Sequence, residues 1–254
     1  MTSAVHRSLA FLLLAASFCS PRSGIAQVED LPLIEVLVPS GQSYGADARA
    51  PPLIILLSGD GGWASMVREI GSHLSTNGVP VIGLNSLRYF WKARTPEEIT
   101  GDVTRMIEHY LHELSLSRVV LIGYSFGAEV LPFIVNRLPP ELQSKINGVI
   151  LISPSDSAYF EIHLTEWLPW LAPKGEPLAP ELARLDIRQL FCIHGSEEHD
   201  SPCIGLGKSG ARAEVISGGH HMGGQYEEVA KRVLGFIRQA NPDAVRAGSG
   251  PVRQ

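Results

Sequence analysis

Cysteine is scarce in this sequence, at three residues, and aromatic side chains make up only 7% of it. No apolar run approaches the roughly 20 residues a membrane-crossing helix needs, which argues against helical spans. Basic residues form no stripe. Lys and Arg number 21 against 26 Asp and Glu, for a net charge of −5, so nucleic acid is not expected as a partner. The helical HExxH spacing is absent, and the adjacent His220 and His221 cannot easily both ligate one ion, so neither a metal nor another cofactor is expected. There is no internal repeat and no block of like charge.

What is present begins with a leader. MTSAVHRSLAFLLLAASFCSPRSGIAQ has Arg7 ahead of an apolar core from Leu9 to Phe18, then a small-residue stretch ending at Ala26. That is the pattern of a secretory signal peptide, residues 1–26, with cleavage expected after Ala26. Phe18 is too bulky for processing at a lipidated Cys19. Removal of the leader leaves Cys192 and Cys203, and a pair in an exported chain predicts one disulfide. Residues 27–240 are long enough for one α/β domain with a full core, and the Gly/Pro/Ala/Arg-rich stretch 241–254 reads as a flexible tail.

Strand-like and helix-like periodicities alternate through that domain. Leu33 to Val38, Pro52 to Leu57, Val79 to Leu84, Arg118 to Tyr124, Gly148 to Ser153, Ile187 to His194 and Ala213 to Ile216 read as strands. Ala64 to Thr76, Pro96 to Leu114, Gly127 to Leu138 and Tyr226 to Gln239 read as helices. The alternation predicts a mostly parallel sheet with helices on both faces. Residues 156–185 break the rhythm; with Phe160, Trp167, Trp170 and four prolines, they are expected to form a small cap insertion.

GxSxG occurs twice. GQSYG, Gly41 to Gly45, lies in a Ser/Gly/Ala/Pro stretch, and Ser43 reads as a turn serine. GYSFG, Gly123 to Gly127, follows the apolar run Val119 to Ile122 and precedes helical spacing. A serine on a sharp strand-to-helix turn needs small neighbours, because the backbone is strained and the helix packs close to the strand. That context marks Ser125 as a nucleophile and the fold as an α/β-hydrolase.

A serine hydroxyl needs a base, and the base a carboxylate. In this fold they follow in the order Ser, acid, His. GSEEHDSPC after the sixth strand offers Glu197, Glu198 and Asp200, and SGGHHMGG after the seventh offers His220 and His221. Glu198, three residues past Gly195 and four before Pro202, is the first choice, with Asp200 the alternative. His220, directly after Gly-Gly, is preferred to His221. The oxyanion hole is expected from the N–H of Phe126 and from the SGDGGW loop, Ser58 to Trp63, at Asp60. A carboxylate there opposes a developing oxyanion, so Asp60 must either cap a helix or meet a cationic part of the substrate.

SGDGGW, NSLRYFW (Asn85 to Trp91), GYSFGAEVLPF, the Cys192 and Cys203 loop and GGHHMGG together resemble the bacterial virulence proteins of the VirJ/AcvB family, in a short, single-domain form. The resemblance implies a periplasmic α/β-hydrolase-like protein. It further implies either hydrolysis of lysyl-phosphatidylglycerol, as associated with AcvB-type members, or a role beside type IV secretion components and substrates, as associated with VirJ-type members. An acyl-serine mechanism suits the aminoacyl ester of that lipid, and Asp60 suits its lysyl charge. Tyr89 and Trp91 then read as substrate-binding residues at the membrane surface, or as ordinary packing at a strand exit.

Overall fold

The computed structural model describes residues 26–38, 50–162 and 175–240. Seven strands form one sheet: β1 (Leu33–Val36), β2 (Leu53–Leu57), β3 (Val81–Leu84), β4 (Val119–Tyr124), β5 (Ile146–Ile152), β8 (Leu190–Gly195) and β9 (Arg212–Ile216), in the order β1-β3-β2-β4-β5-β8-β9. Two short strands, β6 (Ser157–Ala158) and β7 (Glu176–Pro177), pair separately. The helices are α1 (Ser65–Thr76), α2 (Ser86–Tyr89), α3 (Pro96–Glu113), α4 (Phe126–Val135), α5 (Pro140–Gln143), α6 (Ala179–Leu182), α7 (Pro202–Lys208) and α8 (Tyr226–Ala240).

The central strands β2, β3 and β4 are buried at every position because both faces of the sheet are covered. In β2, Leu53, Ile55 and Leu57 pack towards α3 and α4, while Ile54 and Leu56 pack towards α1 and α8. The same period of two divides Leu121 from Val120 and Ile122 in β4. Local signals set the helix starts. Thr95 and Glu98 form a reciprocal capping box at α3, with Pro96 in its first turn. Three differences from the sequence reading concern termini and pairing. β1 is antiparallel to β3, whereas the other sheet pairs are parallel. Ile187–Gln189 is a 3₁₀ turn leading into β8, and Pro202–Lys208 is a helix in a stretch to which the sequence reading assigns no element.

The insertion at 156–185 leaves and rejoins the domain as the β6–β7 ribbon, followed by α6. Phe160 stands edge-on to Phe133 of α4, and Asn136 Nδ2 donates to Glu181 O at 2.9 Å. Trp167 and Trp170, Ser43, the expected leader up to residue 25 and the expected tail 241–254 lie outside the described residues. No described helix is long and apolar enough to cross a membrane.

Candidate active site

β4 delivers Ser125 onto a turn with φ 52° and ψ −122°, a left-handed conformation that costs a non-glycine residue about 1–3 kcal/mol. The flanking glycines are there for space. A Cβ on Gly127 would lie 2.4 Å from Leu57 O, and one on Gly123 would lie 2.4 Å from Gly127 O. Both contacts are with backbone, so neither relaxes by rotating a side chain.

Ser125 Oγ lies 2.8 Å from His220 Nε2, and His220 Nδ1 lies 2.8 Å from Glu198 Oε1. Glu198 Oε2 accepts from Gly195 N at 2.6 Å and from Ser153 Oγ at 2.8 Å. Burial pushes the Glu198 carboxyl up, but the Gly195 N–H, His220 and Ser153 outweigh it and hold the group below its ordinary value. An ionised acid at that place keeps a proton on Nδ1 and leaves Nε2 free to accept one.

Of the alternatives, Asp200 is exposed on the far part of the loop, and it does not reach His220. His221 turns the other way: its Nδ1 lies 2.7 Å from the Tyr124 hydroxyl. Burial, with the charges of Tyr226, Glu198 and Asp60, pushes the Tyr124 phenol up to about 12, so it remains a donor. The Tyr124 ring also stacks on His220, with centroids 5.9 Å apart, and so fixes both histidines. Cys192 in β8 and Cys203 in the first turn of α7 form a disulfide that closes the loop carrying Glu198.

The SGDGGW loop passes directly over Ser125: a Cβ on Gly59 would lie 3.3 Å from Ser125 Cβ. Ser58 and Ser86 stitch it to the exit of β3, Ser58 Oγ accepting from Ser86 N at 2.9 Å and Ser86 Oγ donating to Ser58 O at 2.7 Å. Trp63 anchors its far end in the space that Gly83 leaves open. Asp60 is exposed and is not a helix cap. Its Oδ1 accepts from Gly61 N at 2.9 Å, while Ala64 occupies the cap position of α1. Phe126 opens α4, where the first N–H groups lack intrahelical partners. Its ring meets Phe90 at 4.8 Å.

Tyr89 is placed away from Ser125. It is buried, donates to Asp102 Oδ2 at 2.6 Å and lies under the Arg94 guanidinium. It lines a cavity of about 410 Å³ with Arg88 and Asp30, which shares no lining residue with the cavity of about 380 Å³ beside His220 and Glu198. Trp91 is 56% exposed. Among the described residues no group of three or more His, Cys, Asp or Glu could hold a metal ion.

Three residues of the site have no signal in the sequence motifs. Ser153 directly follows β5, fully buried at φ 48°, a strained position that puts its hydroxyl on Glu198. Tyr124 occupies a free position of GxSxG. Glu129 is a buried carboxylate in the first turn of α4, where helical spacing alone gives no reason to expect burial of a charge.

Several solved structures share this architecture. The Pyrococcus furiosus esterase Pf2001 aligns with a TM-score of 0.53 at 18% identity, covering 76% of this chain and 84% of that one. The Exiguobacterium antarcticum esterase EaEST aligns at 0.55 and 14%, covering 81% and 94%. Est1E from Butyrivibrio proteoclasticus aligns at 0.53 and 12%, covering 81% and 93%. At such identities the likeness establishes the α/β-hydrolase fold. No curated protein sequence matches the chain. The family model described as bacterial virulence protein (VirJ) matches residues 52–241, from the start of β2 to the end of α8. The chain therefore belongs to the VirJ family of bacterial virulence proteins.

Proposed function

We propose that this protein is a periplasmic serine esterase that cleaves an aminoacyl ester, that of lysyl-phosphatidylglycerol, at the membrane surface. The observation carrying the reading is the continuous chain Ser125 Oγ, His220 Nε2, His220 Nδ1, Glu198 Oε1, with 2.8 Å at both contacts. Ser125 Oγ attacks the ester carbonyl carbon while His220 Nε2 takes its proton. The resulting oxyanion faces the N–H groups of Phe126 and Asp60. Collapse breaks the bond to the glycerol oxygen, which leaves with the proton from Nε2. Water, deprotonated by the same nitrogen, then attacks the lysyl-serine ester and frees lysine and Ser125. Glu198 orients the imidazole and stabilises its cation throughout.

The lysyl choice rests on the family and on the charge of the site. The cavity beside His220 is lined by Asp156, Glu197, Glu198 and Asp200 and by no Lys or Arg, which suits a cationic acyl group. The test is incubation of the purified protein with vesicles of phosphatidylglycerol carrying lysyl-phosphatidylglycerol. Release of free lysine by the wild type and none by Ser125→Ala is expected; intact lipid with both proteins refutes the reading.

A further inference from the structure

We infer that Glu129 is a specificity-determining residue: its carboxylate receives the α-ammonium of an aminoacyl ester beside Ser125. The inference rests on the esterase reading above and adds the residue that selects the acyl group.

Position comes first. Glu129 lies in the first turn of α4, its N–H bonded to Ser125 O at 3.1 Å, which keeps its backbone within one turn of the nucleophile. The residue is only 8% exposed. Its Oε1 accepts from Ser155 Oγ at 2.6 Å and, at 3.4 Å, from Ser155 N. Oε2 takes no hydrogen bond from any described residue. Nor is Oε2 sealed away, because the sole occluded and unpartnered side-chain atom among the described residues is Arg94 Nε. Oε2 therefore reaches accessible space. Its hydrogen-bond partner Ser155 lines the cavity that also holds His220 and Glu198, and the charge of His220 acts on the Glu129 carboxyl.

The carboxylate is poorly placed for the protein on its own. Burial pushes its pKa up; Ser155 and the charge of His220 pull the other way, and Asp60 adds to the rise. Among the described residues no lysine or arginine pairs with it to offset this. A glutamine would accept the same Ser155 hydrogen bond without the cost of a buried charge, so packing alone gives no reason for an acid. A substrate ammonium supplies one. In an aminoacyl ester the α-ammonium is one carbon from the carbonyl that Ser125 attacks, which puts it within one helical turn of the nucleophile. The charge pair would form in a half-buried site where it is worth more than at an open surface.

Three glyceryl esters with the same six-carbon chain test this: lysyl, norleucyl and hexanoyl, which carry two, one and no ammonium groups. Glu129→Gln is expected to lower the ratio of norleucyl to hexanoyl kcat/KM by about 10-fold to 100-fold relative to wild type. An unchanged ratio, including equal losses on all esters, overturns the assignment. A second measurement needs no variant. On the wild type, norleucinol should slow fluorophosphonate labelling of Ser125 at concentrations where hexan-1-ol has no effect; equal protection by the two overturns it. Wild-type protein inert towards all three esters and towards the probe overturns the esterase reading and the assignment with it. Activity with an unchanged ratio overturns the assignment alone.

Discussion

Replacing Glu198 by Gln should be more damaging than its near-identical shape suggests, and the hydrogen bonds around the group show why. Glu198 makes three contacts: Oε2 accepts from Gly195 N at 2.6 Å and Ser153 Oγ at 2.8 Å, and Oε1 faces His220 Nδ1 at 2.8 Å. A glutamine has one acceptor oxygen. The Gly195 N–H can only donate, so the amide oxygen must remain on that side and the amide N–H must face Nδ1. His220 is then forced to carry its proton on Nε2. In that tautomer it cannot take the proton of Ser125, and the loss should be about 10⁴-fold in kcat, or roughly 5 kcal/mol. Glu198→Ala leaves the tautomer free and should be no worse than Glu198→Gln. The assay is kcat for both variants on a glyceryl aminoacyl ester, with melting curves as controls for folding. Glu198→Gln activity within 10-fold of wild type refutes the reasoning, as does Asp200→Ala being the crippled variant.

Four further outcomes are expected. His220→Ala should lose on the order of 10⁴-fold in turnover, and His221→Ala far less, read by steady-state kinetics on one ester; the reverse ranking makes the neighbour the base. Asp60→Asn should lower the ratio of lysyl to norleucyl kcat/KM by about 10-fold to 100-fold, with no such effect if Asp60 serves only the Gly61 turn. Cys203→Ser should cost about 3 kcal/mol of stability in urea unfolding, from a disulfide spanning a sequence separation of 11; a loss below 1 kcal/mol would contradict the loop-closure argument. Glu129→Gln should be more stable than wild type at neutral pH. Because the folded pKa of Glu129 is raised, chiefly by burial, its favourable contribution is complete below the ordinary value of 4.5 and is lost as pH rises through the folded value. The advantage of the glutamine should therefore vanish in melts below that pH.

The sheet was legible because its strands are apolar runs bounded by turn residues, and Ser125 because a strand and a helix flank its GxSxG. The carboxylate-rich loop and the histidine pair were legible for the same reason: each follows a strand. What the sequence could not decide was which of two adjacent histidines turns towards Ser125, since that depends on the Tyr124 hydroxyl holding His221. The choice between Glu198 and Asp200 likewise depends on where the Gly195 N–H and Ser153 Oγ point. Ser153 and Glu129 were invisible for a deeper reason. A serine at a strand end and a glutamate within a helix are ordinary in sequence, and only tertiary packing makes one strained and the other buried. The helix Pro202–Lys208 has a weak sequence signal because Gly205 and Gly207 lower helix propensity; the serine cap and the proline outweigh them.

The central claim is that Ser125 is an acyl-forming nucleophile driven by His220. Fluorophosphonate labelling of the intact protein, read by mass spectrometry after proteolysis, tests it most directly. One adduct is predicted, on the peptide carrying Ser125 and not on that carrying Ser43, with labelling abolished in Ser125→Ala and strongly slowed in His220→Ala. An adduct that persists in Ser125→Ala, or a wild-type protein that takes no label, would contradict the account.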